Sequence, residues 1–105
     1  MKKYITILAV VLISVSSFAQ KDKSLTLNKE TNLIEAVYYH DNGEISQTGF
    51  FTPEGKLEGN WVSYDVKGTK LVSAYYKEGI KVGKWIHWID GNKKVVSYTN
   101  NVAAL

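Results

Sequence analysis

The feature that most constrains the fold of this chain is an internal repeat. Residues 53–68, PEGKLEGNWVSYDVKG, align with residues 77–91, KEGIKVGKWIHWIDG, if one residue is deleted before the last glycine. Both copies contain a turn glycine, a G-x-W motif, an aromatic residue three positions after the tryptophan, and a closing glycine. The copies are about 24 residues apart, and such a period is typical of repeat arrays. The matched pairs are Gly55 and Gly79, Gly59 and Gly83, Trp61 and Trp85, Tyr64 and Trp88, and Gly68 and Gly91.

A weaker copy precedes these two. In residues 36–43, AVYYHDNG, Ala36 takes the tryptophan position, Tyr39 the following aromatic position and Gly43 the closing position. An aromatic residue lies seven positions after each closing glycine: Phe50, Tyr75 and Tyr98.

Each copy predicts a β-hairpin, because runs rich in Val, Ile, Thr and aromatic residues are separated by turns that contain glycine. DNG at 41–43 and DG at 90–91 are typical of two-residue hairpin turns. No stretch after residue 19 has a helical period of 3.6. We therefore predict an all-β fold, an extended antiparallel meander of β-hairpin repeats. The predicted strands are 24–28, 33–40, 44–51, 57–65, 69–76, 81–89 and 93–99.

The first residues predict a secretory signal peptide. Lys2 and Lys3 precede an apolar run at 5–15, and the small residues Ser17 and Ala19 suit a cleavage site. The run is shorter than the ~20 residues that a membrane-spanning helix needs. We expect cleavage after Ala19, a periplasmic or secreted protein, and no transmembrane segment in the remainder. The expected division is a signal peptide at 1–19, a lead-in with an edge strand at 20–32, repeats at 33–99 and a tail at 100–105.

Composition limits the function. The chain has 13 lysines, no arginine and 10 acidic residues; the signal peptide takes two lysines, leaving eleven, so the formal charge falls from +3 to +1. Nucleic-acid binding is disfavoured, because such domains carry a strong basic patch rich in arginine. Without cysteine, the exported domain has neither a disulfide nor a thiolate metal site.

The segments GNWVSY at 59–64 and GKWIHW at 83–88 resemble the MORN-like repeats of the bacterial toxin–antitoxin-component family. Those repeats read roughly G-x-W-x-x-Y, then a turn glycine, then a strand that ends in an aromatic residue. The resemblance covers about residues 34–99. It implies an extended β-hairpin sheet that acts as a scaffold in contact with proteins or membranes.

Alternation along the strands assigns side chains to two faces of the sheet. One face is apolar throughout, and we predict that it is the main packing surface: Val37, Tyr39, Val62, Tyr64, Ile86 and Trp88. The other face is mixed: Ala36, Tyr38, His40, Trp61, Ser63, Asp65, Trp85, His87 and Ile89. Gly83 has the parity of Trp85, so we expect the G-x-W glycine to leave room for an aromatic ring from a neighbouring strand.

Trp61 and Trp85 have two interpretations. They form a structural aromatic ladder, since cross-strand aromatic pairs stabilise sheets, or they form an exposed platform for a glycan or peptide. In the second case the aromatic rings stack on the ligand and polar neighbours supply hydrogen bonds. The candidate binding residues are Trp61, Trp85, His87, Tyr38, Ser63 and Asp65.

The sequence offers little chemistry for catalysis. His40 and His87 are the two side chains that could act as bases near neutral pH, and they lie in different repeats. No spacing supplies a third metal ligand, and neither a nucleophile elbow nor a phosphate-binding glycine loop is present. We predict no catalytic residue, metal or cofactor.

The leading functional prediction is a non-enzymatic, exported module that binds a protein or a cell-envelope component. The alternative is glycan or cell-wall binding through the aromatic face, and a small exported enzyme, including a nucleotidyltransferase, comes third. Residues 93–105 offer a strand edge and an apolar tail. Either a partner chain, including another copy, adds a strand there, or the tail frays.

The first testable prediction concerns processing. Signal peptidase should cut between Ala19 and Gln20, because small residues occupy positions 17 and 19. Intact-mass analysis of the exported protein should find a chain that begins at Gln20. An exported species that keeps residues 1–19 would contradict the prediction.

Overall fold

The computed structural model describes residues 22–104, which form one antiparallel sheet; the predicted signal peptide and its cleavage site lie outside the described residues. The order across the sheet is β1-β2-β3-β4-β5-β7-β8-β9, and the short β6 pairs with β5. No helix occurs within residues 22–104. The strands are β1 (Lys23–Asn28), β2 (Leu33–Tyr39), β3 (Ile45–Phe51), β4 (Leu57–Tyr64), β5 (Lys70–Lys77), β6 (Ile80–Lys81), β7 (Gly83–Ile89), β8 (Asn92–Thr99) and β9 (Val102–Ala104).

The predicted all-β meander is confirmed. Each predicted strand is present, with ends displaced by no more than two residues. The predicted strand 81–89 is interrupted at Val82, which separates β6 from β7. The tail, for which the repeat pattern gave no place, forms β9 and pairs with Ser97–Thr99 of β8. The described part of the tail is therefore paired and not frayed. It occupies part of the β8 edge, which is where a partner chain is predicted to add a strand.

Three hairpins make up the repeats: β2–β3, β4–β5 and β7–β8. We call their turns, at 40–44, 65–69 and 90–91, the tips. In the second tip Asp65 Oδ1 accepts hydrogen bonds from the backbone N–H groups of Lys67 and Thr69, each at 2.9 Å. The third tip is shorter: Asp90 and Gly91 have φ angles of 50° and 80°, which a type I′ turn requires at both central residues.

One residue bulges from each of the first two hairpins, Ser46 in β3 and Leu71 in β5, whereas the third hairpin pairs without a shift. A bulge moves all following side chains to the other face. The ladder partners change from Tyr38–Gln47 to Tyr39–Ile45, and from Ser63–Val72 to Tyr64–Lys70.

The bulges alter which aromatic residues are equivalent. Phe51, Tyr76 and Tyr98 all pack against the same buried cluster, whereas Phe50 and Tyr75 alternate with them and lie on the opposite face. The sequence spacing predicts that Phe50, Tyr75 and Tyr98 are equivalent, and this prediction is wrong. The residues equivalent to Tyr98 are Phe51 and Tyr76. Because the third hairpin has no bulge, its aromatic residue reaches the cluster one position earlier.

The core lies on the face of the motif tryptophans, which we call the tryptophan face. Trp61 and Trp85 are 4% and 7% exposed and are buried with Ala36 and Ala74. The prediction that the uniformly apolar face is the main packing surface is wrong: of its six residues only Val62 is buried. No second layer covers either face within residues 22–104, so burial depends on side chains large enough to cover one another, and the indoles do this best. The residues packed around the cluster are Tyr38, Phe51, Leu57, Val72, Tyr76 and Tyr98.

A glycine lies under the Trp61 ring, but it is Gly49 and not a G-x-W glycine. A Cβ at Gly49 would be 2.0 Å from Trp61 Cδ2, so another residue would displace the ring. Gly59 and Gly83 have φ angles of 71° and 73°, and a Cβ there would make an ordinary contact at 3.4 or 3.5 Å. The G-x-W glycines are therefore required by backbone conformation rather than by space for a ring.

Gly49→Ala should destabilise the fold by about 1–3 kcal/mol, because the new methyl group forces the Trp61 indole out of its position. Chemical denaturation followed by tryptophan fluorescence would measure the change. Ser97→Ala, at a half-buried position of β8, is the matched control and should shift stability by less than about 0.5 kcal/mol. Equal small effects would show that the ring tolerates a Cβ at position 49.

Candidate functional site

The Trp61 indole is held between strands. Its Nε1 donates a hydrogen bond to the backbone carbonyl of Phe50 at 3.0 Å. The Phe51 ring meets it edge-on, with centroids 5.1 Å apart, and the Tyr38 ring lies 6.3 Å away. Both the polar atom and the ring of Trp61 are thereby used inside the sheet.

Trp85 repeats this arrangement one hairpin later. Its Nε1 donates to the backbone carbonyl of Tyr75 at 3.1 Å, and the rings of Tyr98 and Tyr76 lie at 4.8 and 5.3 Å. The Lys81 ammonium lies 5.1 Å from the Trp85 ring centroid and 5.2 Å from that of Tyr98, within the range of a cation–π interaction. Each indole is thus buried within its own set of aromatic rings, and neither forms an exposed platform.

The other candidate binding residues are divided between two places. Tyr38, Ser63 and His87 are half-buried on the tryptophan face, with the His87 ring 6.3 Å from that of Trp85. Asp65 lies in the second tip instead. The backbone N–H of Thr69, with those of Lys67 and Gly68, holds the pKa of the Asp65 carboxyl below its ordinary value.

The residues predicted to be structural also lie in two groups. Tyr64 and Trp88 are half-buried near the tips, on the face opposite the motif tryptophans. The remaining turn glycines have positive φ angles, as chain reversal at these positions requires. They are Gly43, Gly55, Gly68, Gly79 and Gly91.

Between Trp61 and Trp85 the tryptophan face has a shallow groove of about 140 Å³. Ala74 and Val72 line it on β5, and Gln47, Ser63 and Tyr76 supply polar groups. Burial, with a smaller effect from Tyr98, raises the pKa of Tyr76 above its ordinary value. At neutral pH the Tyr76 phenol is protonated, as an unshifted tyrosine also is, and it can donate a hydrogen bond.

The register gathers positive charge on this face. Lys23 is the ladder partner of Tyr38, Lys94 that of His87, and Lys81 lies over Trp85. No aspartate or glutamate occupies a strand position on the tryptophan face within the described sheet. Sequence reasoning missed this asymmetry, because the three lysines are far apart in the chain and only the strand order brings them to one face.

His40 and His87 do not form a shared site. His40 Nε2 donates to the backbone carbonyl of Tyr64 at 2.9 Å and so links the first two hairpins. Within residues 22–104, no three histidine, aspartate or glutamate side chains lie close enough together to hold a metal ion. The same part of the chain has no helix long and apolar enough to cross a membrane.

Comparison of the chain with protein-family models, with curated proteins and with solved structures finds no match.

The difference in burial between Trp85 and Trp88 predicts a clear order of stability effects. Trp85→Ala should cost about 3–5 kcal/mol, because it leaves a cavity in the core. Trp88→Ala should cost less, about 1–2 kcal/mol, because a half-exposed side chain loses less buried area. Urea denaturation of both variants would test the order. A Trp88 variant as unstable as the Trp85 variant would show that the face opposite the motif tryptophans contributes equally to the core.

Proposed function

We propose that this protein is an exported, non-enzymatic β-repeat module that binds an acidic protein surface through its tryptophan face. The observation that carries the proposal is the composition of that face in the described sheet: partly exposed aromatic side chains, three lysines, and no carboxylate at the strand positions of residues 22–104. Aromatic residues are enriched in protein interfaces. Charge of one sign selects a partner of the opposite sign and accelerates the encounter.

The single-layer sheet supports this proposal. Phe51, Leu57 and Tyr98 pack against the buried cluster yet stay partly exposed, since nothing in the described sheet covers them. A partner would bury more of this apolar area, worth about 25 cal/mol for each Å² removed from water. The shape of the face also suits a protein. The groove between Trp61 and Trp85 has room for an apolar side chain, with hydrogen-bonding groups along its rim.

The resemblance to MORN-like repeats is part of the proposal, because it implies a scaffold that contacts other molecules. Export is likewise proposed from the signal-peptide pattern at 1–19. A cell-envelope component stays the alternative class of partner. Glycan stacking on the motif tryptophans has less support, since both rings are covered and both indole N–H groups are bonded within the sheet.

A catalytic role also has little support from the geometry. His40 Nε2 is hydrogen-bonded to the Tyr64 carbonyl. The cross-strand neighbours of His87 are Val72 and Lys94, and neither carries a carboxylate. A general base normally has a partner that orients it and a site for the reacting group.

Charge removal on the two faces tests the proposal. The variant Lys23→Gln, Lys81→Gln, Lys94→Gln should lose partner capture in a periplasmic crosslinking pull-down, with affinity lowered about tenfold or more. The matched control is Lys77→Gln, Lys84→Gln, Lys93→Gln, which removes three lysines from the opposite face. Both variants should keep the native circular dichroism spectrum. Equal capture by the two folded variants would show that the tryptophan face is not the binding surface.

A further inference from the structure

The neighbouring hairpins separate before they reach their tips. Within each hairpin the ladder continues to the turn, but between hairpins it ends at Gln47–Ser63 and at Val72–His87. A groove therefore opens between the first and second tips, of about 300 Å³, and another between the second and third, of about 380 Å³. Tyr64 lines the first groove, and Trp88, its repeat equivalent, lines the second.

The two grooves differ in how they are closed. Across the first, His40 Nε2 donates to the Tyr64 carbonyl at 2.9 Å, and Asn42 Nδ2 donates to the Val66 carbonyl at 3.2 Å. Within residues 22–104 no such hydrogen bond joins the second tip to the third. The second groove is the larger of the two, and we call it the Trp88 groove.

The lining of the Trp88 groove combines one aromatic wall with polar groups. Trp88 and Leu71 supply apolar surface. Asp65 and Thr69 lie in the second tip, Lys70 follows at the start of β5, and Asp90 lies across from them in the third tip. Clefts of roughly 300–1,000 Å³ with an aromatic wall and a few fixed polar groups are typical small-ligand sites. Asp65 is held in place by its two backbone hydrogen bonds through Oδ1, so Oδ2 remains to accept another.

We propose that the Trp88 groove binds a neutral pyranose unit of a glycan. The apolar face of the sugar ring stacks on the indole, and its hydroxyl groups donate to the carboxylates of Asp65 and Asp90 and accept from the Lys70 ammonium. Asp65 and Asp90 are offset by Lys70 and by Lys93, the ladder partner of Trp88, so the groove offers no excess of positive charge that would select an anionic sugar. This site is separate from the proposed protein-binding face, so either proposal can fail alone.

The repeat geometry favours a chain of sugars over a single one. Tyr64 lies on β4 and Trp88 on β7, with β5 between them, and each residue lines one of the two neighbouring grooves. An oligosaccharide laid across the tips would meet the Trp88 groove and then the Tyr64 groove.

Iodide quenching offers a selective test. Trp61 and Trp85 are 4% and 7% exposed, so Trp88, which is half-buried, should account for most of the quenching. Cellohexaose and chitohexaose are the neutral probes, and hexagalacturonate is the anionic one. At least one neutral probe should protect Trp88 from iodide and give a calorimetric binding signal, and hexagalacturonate should bind more weakly. The proposal would be overturned if neither neutral probe protected Trp88, or if hexagalacturonate bound more strongly than both of them.

Variants then locate the site. Trp88→Leu keeps apolar bulk but removes the aromatic face, and it should weaken binding about tenfold. Asp90→Asn keeps the side-chain shape, suits the positive φ angle and should weaken binding roughly threefold, because a neutral acceptor is weaker. Tyr75→Leu removes an exposed aromatic residue from the same face, away from the groove, and should leave affinity unchanged. Unchanged affinity in the Trp88 and Asp90 variants, or an equal loss in the Tyr75 variant, would contradict the assignment.

Discussion

The structure depends on one interaction that the repeat produces twice: an indole N–H bonded to a backbone carbonyl of the preceding hairpin. Trp61 reaches from β4 to the carbonyl of Phe50 on β3, and Trp85 reaches from β7 to that of Tyr75 on β5. Each bond satisfies a donor that would be costly to bury unpaired. Each also fixes the ring across the junction between hairpins, so the core of this single-layer sheet is built at its junctions.

The sequence was sufficient for the architecture, because glycine turns and β-rich runs determine where strands begin and end. It was insufficient for the faces. Ser46 and Leu71 bulge, which reverses the alternation in β3 and β5, and nothing in their residue types marks them as the extra residues. The prediction from strand alternation also treated aliphatic and aromatic residues as equally able to form the core. In a sheet without a second layer, ring size and the small residues beneath the rings decide which face is buried.

The candidate surfaces were predictable only in part. Strand parity placed Tyr38, Ser63 and His87 beside the tryptophans, as the structure has them, but Asp65 belongs to a tip. The lysine asymmetry and the Trp88 groove both arise from relations between hairpins. Lys23 and Lys94 come from strands near opposite ends of the sheet, and the groove forms where a ladder ends. Such relations require strand order and register, which local sequence patterns do not specify.

The short ladder between β5 and β7 has a consequence for how the protein opens. Two residue pairs, Val72–His87 and Ser73–Ile86, join these strands, whereas seven join β7 to β8. Backbone hydrogen bonds thus tie the third hairpin to itself more than to its neighbour. We expect a unit of this kind to separate from the sheet at a lower free energy than global unfolding requires. Stability would then differ along the sheet, and the Trp85 indole, hydrogen-bonded to the Tyr75 carbonyl, would be the side chain that holds the less extensively paired junction together.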